Sequence, residues 1–215
     1  MDVLATLILA LAAVATAWVT FQSTKWAAVQ SSSYAASSAA RVESARATDR
    51  AQSERVTDVV TFTAWLTAVD ADRKKDPAIL SDEGRFTPRP GYLSNFIYQR
   101  FRPEFRSAFE AWLRSDPLDN PRAAPTPFST DAYRLAADRR ARLLDRRAER
   151  YTALAHKASR TGTSYVFTAV LFALSLFFVA VSQRLDTKSR NRLVVLAAVM
   201  FLGTLGLLLS YPVRF

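Results

Sequence analysis

The chain has 215 residues, 50% of them apolar, and a formal net charge of +10. It contains no cysteine and only 1 histidine, His156, which excludes disulfides, thiol catalysis, thiolate metal sites and any metal cluster built on several imidazoles. The basic balance calls for an acidic partner. Anionic lipid headgroups are the expected one and nucleic acid is not, although a genomic base composition that favours arginine over lysine would explain the bias without any partner.

The apolar residues are gathered in three runs, 3–24, 161–183 and 193–213, none of which holds Asp, Glu, Lys or Arg. Charged residues flank each run: Asp2 and Lys25, Arg160 and Arg184, Arg192 and Arg214. At roughly 21–23 residues, each run is long enough as a helix to cross ~30 Å of hydrocarbon. Buried core helices of a soluble protein rarely combine this length with a complete lack of charge. The first run has small residues that imitate a signal cleavage site at Ala13, Ala15 and Ala17. It lacks a basic leader, however, and is read as an uncleaved anchor.

After the first run no proline occurs before Pro77 and no glycine before Gly84, so continuous helix is expected through a stalk over 25–69. Opposite charges at helical spacing support it: Glu43 with Arg46, Arg46 with Asp49, Arg50 with Glu54. Residues 59–69 are apolar enough to pack on a neighbour, and their β-branched side chains leave a strand open as an alternative.

A cap is expected over 70–128. Its first part, with Pro77, Gly84, Pro88 and Pro90, has loop composition, and Asp70, Asp72, Asp76, Asp82 and Glu83 make it acidic without calcium-loop spacing. Phe101, Phe105, Ala108, Phe109 and Trp112 then recur at steps of three and four, giving a short helix with one apolar face. Pro117, Pro121, Pro125 and Pro127 impose an extended connection, after which Ser129 or Thr130 is placed to cap a returning stalk over 129–160.

That second stalk carries a seam of Ala137, Ala141, Leu144, Ala148, Tyr151, Ala155, Ala158 and Gly162, with the spacing of a coiled-coil interface. Thr6, Ala10, Ala13, Ala17, Thr20, Thr24, Ala27 and Ser31 repeat the same alternation and offer a matching small-residue stripe on the first arm. In the third membrane run, Gly203, Gly206 and Ser210 suggest a close-packing face. The expected architecture is therefore an all-α membrane protein with transmembrane helices over 3–24, 161–183 and 193–213. A long helical-hairpin, coiled-coil-like extramembrane domain spans 25–160, and a short basic loop spans 184–192.

The run FIYQRFRPEFRSAFEAW over 96–112, continued by Pro117, Leu118, Asn120, Pro121, Thr126, Pro127 and Phe128, resembles a family of uncharacterised bacterial three-span inner-membrane proteins. The resemblance extends over the whole chain and implies a bacterial inner-membrane location. It brings no activity and no residue roles.

Orientation signals conflict. Arg184, Lys188, Arg190 and Arg192 make the loop between the last two runs basic, which favours a cytoplasmic loop and an external, periplasmic domain. Arg146, Arg147, Arg150, Lys157 and Arg160, together with the order of Asp2 and Lys25, favour the opposite. The external domain is preferred, because a long domain translocates largely regardless of its charge.

No catalytic residue, cofactor or metal site is expected. His156 reads as a helical surface or seam residue, and Gly84 and Gly91 are too isolated for a phosphate-binding loop. Two sets of residues remain as candidates. Thr161, Ser164, Thr168, Ser175 and Ser182 share one face of the second membrane helix, where hydroxyls either line a pore in an oligomer or bond backbone carbonyls in helix packing. Arg139, Arg140, Arg146, Arg147 and Arg150, with Arg142, form a basic group for anionic lipid or ligand, although Asp138, Asp145 and Glu149 also permit a self-paired helix face. The expectation is a non-enzymatic, homo-oligomeric membrane scaffold or sensor with a protein partner at the cap. A passive pore in a ring-shaped homo-oligomer is the alternative.

Overall fold

The computed structural model describes residues 2–81, 85–117 and 119–214, and of Asp2 and Leu4 only the backbone. Asp82, Glu83, Gly84, Leu118 and the side chain of Asp2, all used above, lie outside the described residues. The described residues form five α-helices: α1 (Asp2–Arg73), α2 (Leu93–Tyr98), α3 (Pro103–Leu113), α4 (Ala136–Ser182) and α5 (Thr187–Leu209). Short 3-10 turns occupy Pro77–Ile79 and Pro127–Ser129. Among these residues there is no strand, only an isolated bridge between Leu80 and Phe86. Helices α1, α4 and α5 are each long and apolar enough to cross a membrane, so the chain is built as a multi-pass membrane protein.

The β-branched stretch 59–69 is helical. Thr57, Thr61, Thr63 and Thr67 each donate to the carbonyl four residues back, which satisfies their hydroxyls inside the helix. The chain divides into two compact units: Met1–Ala39 with Arg147–Phe215, and Ala40–Arg146. Helices α1 and α4 contribute residues to both.

In the first unit, the core joins Ile8, Val19 and Trp26 of α1, Tyr165, Phe172 and Val179 of α4, and Ala197, Phe201 and Leu208 of α5. Polar groups at one end are tied to the segment after α5. Gln22 Nε2 donates to the Arg214 carbonyl at 2.9 Å, and Gln22 Oε1 accepts the Arg214 N–H at 3.0 Å. Trp26 Nε1 and Tyr165 Oη both donate to the Pro212 carbonyl at 3.2 Å. Ala148, Ala155 and Ala158 of the α4 seam are buried, and Ser37 Oγ reaches the Ala148 carbonyl at 3.1 Å and Thr152 Oγ1 at 2.8 Å.

The expected small-residue stripe of α1 is not its packed side. The α1 stripe of Thr6, Ala10, Ala13, Ala17, Thr20, Thr24, Ala27 and Ser31 is exposed, and the buried side of α1 carries Ala5, Ile8, Ala12, Val19, Gln22 and Trp26. Both stripes have the same spacing. Ile8, Val19 and Trp26 decide the phase because burying them removes far more apolar area from water than burying alanine does. Gly203, Gly206 and Ser210 are exposed, with no neighbouring atom where a Cβ on either glycine would stand, and within the chain Val194, Ala197, Phe201, Thr204 and Leu208 form the packed face of α5.

The second unit is organised around aromatic rings. Phe105, Phe109 and Trp112 of α3, with Phe101 just before it, pack with Phe62 and Trp65 of α1, and Phe128 stacks on Phe105 at 5.2 Å between centroids. Helix α3 opens with Pro103 in its first turn and Glu104 beside it, a favourable start for φ and for the helix dipole. Helix α4 starts at Ala136, later than a cap at Ser129 or Thr130 would place it. The Ala136 N–H is instead received by Glu104 Oε1 at 3.0 Å, a carboxylate from α3. Asp72 acts in the same way on α2, accepting the Ser94 N–H at 2.8 Å. It is therefore a buried helix-capping group. Asp70 pairs with Lys74 at 2.8 Å and Asp76 with Arg89 at 2.5 Å, so the described acidic residues of this segment diverge.

Candidate functional site

The densest polar arrangement of the second unit lies where α1, the start of α3 and the start of α4 meet. On α1, Glu43, Ala47, Arg50, Glu54 and Asp58 follow one another at steps of three or four and so share a side of the helix. Residue 102, immediately before Pro103, brings its guanidinium against them. Arg102 Nη1 is 2.8 Å from Asp58 Oδ2, and Nη2 is 2.8 Å from Glu54 Oε2 and 2.5 Å from Glu104 Oε2. Arg50 Nε reaches the other Glu54 oxygen at 2.9 Å.

Asp58 is the most enclosed member. Its side chain is fully buried, Tyr133 Oη donates to Oδ2 at 2.9 Å, and Oδ1 has no hydrogen-bond partner among the described residues. Burial pushes its carboxyl above the ordinary aspartate value, and the Tyr133 hydrogen bond and the Arg102 charge only partly oppose this. The Tyr133 hydroxyl is in turn held strongly in its neutral form by burial and by its bond to Asp58. Nearby, Tyr98 is pushed up to about 12 by burial and by donation to Glu110 at 2.6 Å.

Beside this network opens a cleft of about 630 Å³ lined by Glu43, Arg46, Ala47, Arg50, Glu54, Arg102, Glu104, Ala136, Ala137 and Arg140. The small side chains Ala47, Ala136 and Ala137 leave the space, and charged groups from all three helices surround it. Of the three ion pairs expected along α1, only Arg50 with Glu54 forms; Glu43 and Arg46 make no hydrogen bond or ion pair with a described residue. Among the described residues no cluster of His, Asp or Glu side chains is placed to hold a metal ion. Glu54, Asp58 and Glu104 converge on a guanidinium.

No family model, curated protein or solved structure matches the chain. The site's reading therefore rests on its own geometry.

The structure separates the residues singled out from sequence. Thr168, Ser175 and Ser182 are buried within the first unit, and Thr161 and Ser164 are partly covered. Each hydroxyl donates to a carbonyl of its own helix: Thr161 to Lys157, Ser164 to Arg160, Thr168 to Ser164, Ser175 to Leu171 and Ser182 to Val179. These bonds satisfy the hydroxyls within their own helix. Of the arginines, Arg140 lines the cleft, whereas Arg139, Arg146, Arg147 and Arg150 are exposed elsewhere along α4. Arg139 reaches the Arg134 carbonyl, Arg146 the Arg142 carbonyl and Arg147 the Tyr151 hydroxyl. They do not converge on one centre. His156 is exposed, with Nδ1 3.5 Å from the Tyr34 hydroxyl.

Asp58, Arg102, Glu104 and Tyr133 were not singled out from sequence. One signal was present: Asp58 lies seven residues from both Ala51 and Trp65, which places a carboxylate on the buried stripe of α1.

Proposed function

We propose that the chain is a non-enzymatic membrane scaffold or sensor that works as a homo-oligomer, with coiled-coil-like arms. The observation that carries this is an uncovered apolar face on the part of α1 in the second unit. Val56, Val59, Val60 and Leu66 recur there at helical spacing and remain 52%, 43%, 61% and 43% exposed. These side chains are not needed for the unit's own core, which the aromatic cluster supplies. Seating them on the same face of a second copy would recover ~25 cal/mol for each Å² of apolar surface removed from water. The uncovered small-residue faces of α1 and α5 in the first unit agree with close approach of further helices.

The resemblance of residues 96–128 to bacterial three-span proteins supports an inner-membrane location. The basic residues around the α4–α5 connection support an external cap with anionic headgroups as neighbours. A pore lined by Thr161, Ser164, Thr168, Ser175 and Ser182 is disfavoured by the inward burial of three of them.

The chain is free of cysteine, so a single Val60→Cys variant tests self-association directly in native membranes. A disulfide-linked dimer is expected on mild oxidation, and none from Arg146→Cys on α4. A chain that is strictly monomeric in detergent at every concentration, with no Val60→Cys cross-link in membranes, would remove this reading.

A further inference from the structure

We infer that the cleft between α1, α3 and α4 in the second unit is a binding site for a phosphate-type oxyanion, held by Arg46, Arg50 and Arg140. The inference goes beyond self-association and does not depend on it.

Arg46 of α1 and Arg140 of α4 line the same cleft from two different helices, and neither makes a hydrogen bond or ion pair with a described residue. Arg50 spends only its Nε on Glu54, which leaves both terminal amino groups for another acceptor. Three guanidiniums therefore present planar donor forks that match the oxygen edges of phosphate or carboxylate, a geometry that lysine does not reproduce.

The carboxylates in the lining do not cancel this field evenly. Glu54 and Glu104 are both bound to Arg102, and Glu104 also receives the first N–H of α4, so the arginines carry the site without help from that helix end. Only Glu43 faces the cleft without a partner, on the same helix as Arg46 and three residues before it. It sets a testable sign: a bound anion must be repelled by Glu43, and a structural role for the arginines would not require that.

Phosphate oxygens reach a membrane protein either in solution or on a lipid headgroup, and the two sources separate experimentally. The full chain in neutral detergent at low ionic strength is titrated calorimetrically with inorganic pyrophosphate and, separately, with dihexanoyl phosphatidylglycerol against dihexanoyl phosphatidylcholine. The expected result is saturable, salt-sensitive binding of one phosphate probe per chain. Affinity should fall at least tenfold in Arg46→Gln and in Arg140→Gln, stay unchanged in Arg139→Gln and Arg150→Gln, and rise severalfold in Glu43→Gln. Saturation by pyrophosphate marks a soluble ligand, and saturation by phosphatidylglycerol alone marks a headgroup. The inference is overturned if neither probe saturates, if Arg139→Gln weakens binding as much as Arg140→Gln, or if Glu43→Gln fails to tighten it. The substituted arginines are exposed, and unchanged helical circular dichroism serves as the check that each variant is folded.

Discussion

Arg102 Nη1 stands 2.8 Å from Oδ2 of Asp58, a carboxylate whose side chain is fully enclosed. The pair is one arm of a fork, since the same guanidinium also serves Glu54 and Glu104. Its consequence for stability follows from the direction in which Asp58 titrates. Burial raises the folded-state value above the ordinary 3.8, so between the two values the folded chain binds more protons than the unfolded chain. Stability contributed by Asp58 should therefore fall as pH rises through that window, and its ionisation penalty should be absent below it. Asp58→Asn keeps acceptors for Tyr133 and Arg102 and should flatten this part of the profile of thermal midpoint against pH. Asp58→Leu removes both acceptors and should cost about 1–3 kcal/mol at neutral pH. An unchanged acid-side slope in Asp58→Asn would show that other groups set it.

The ring cluster of the second unit should dominate its stability. Phe105 is fully buried and contacts the rings of Phe62, Phe101, Phe128 and Tyr133. Phe105→Ala should cost about 3–5 kcal/mol through lost burial and the cavity left behind, and Leu93→Ala at an exposed position should cost less than about 0.5. Tryptophan fluorescence during thermal unfolding distinguishes the two, because Trp65 and Trp112 sit in the same cluster.

The two carboxylate caps make a paired prediction. Asp72→Ala should expose the Ser94 amide, and Glu104→Ala the Ala136 amide, each at about 0.5–2 kcal/mol. Amide hydrogen exchange should rise at the start of α2 in the first variant and at the start of α4 in the second. Exchange that rises equally at both sites in either variant would mean general loosening, not loss of a cap.

In the first unit, Thr168 Oγ1 donates to the carbonyl of Ser164 at 2.9 Å and makes no other side-chain hydrogen bond with a described residue. Thr168→Val loses that one bond and should therefore change stability by less than about 1.5 kcal/mol. Gln22→Leu removes both bonds to the Arg214 backbone and should speed exchange at the Arg214 amide at least tenfold. Gln22→Leu should also lower the thermal midpoint in detergent more than Thr168→Val does, since it breaks two bonds and not one; the opposite order would overturn the expectation.

The three membrane-crossing runs were legible because they depend on composition over about twenty residues, which local detail cannot disguise. The buried side of α3 was legible because Phe105, Phe109 and Trp112 are large enough to fix its phase. The buried side of α1 was not. Its Ala, Ser and Thr residues supply several stripes of equal spacing, and small side chains discriminate poorly among them. The polar site was hidden for a different reason: Asp58, Arg102 and Tyr133 are joined across 44 and 75 positions, and helical periodicity carries no information at that range. The uncovered glycines of α5 show the same limit, since spacing reveals that two helices can approach there but not that they do.

The position of Glu104 has a consequence for the order in which the second unit becomes structured. The residue immediately before α4 is Leu135, whose side chain has no oxygen to offer a helix end, and the group that answers Ala136 arrives from α3. A peptide cut from residues 129–146 would therefore fray at its beginning, whatever helix propensity its alanines and arginines confer. The register of that first turn is information stored in α3 and delivered only when α3 docks.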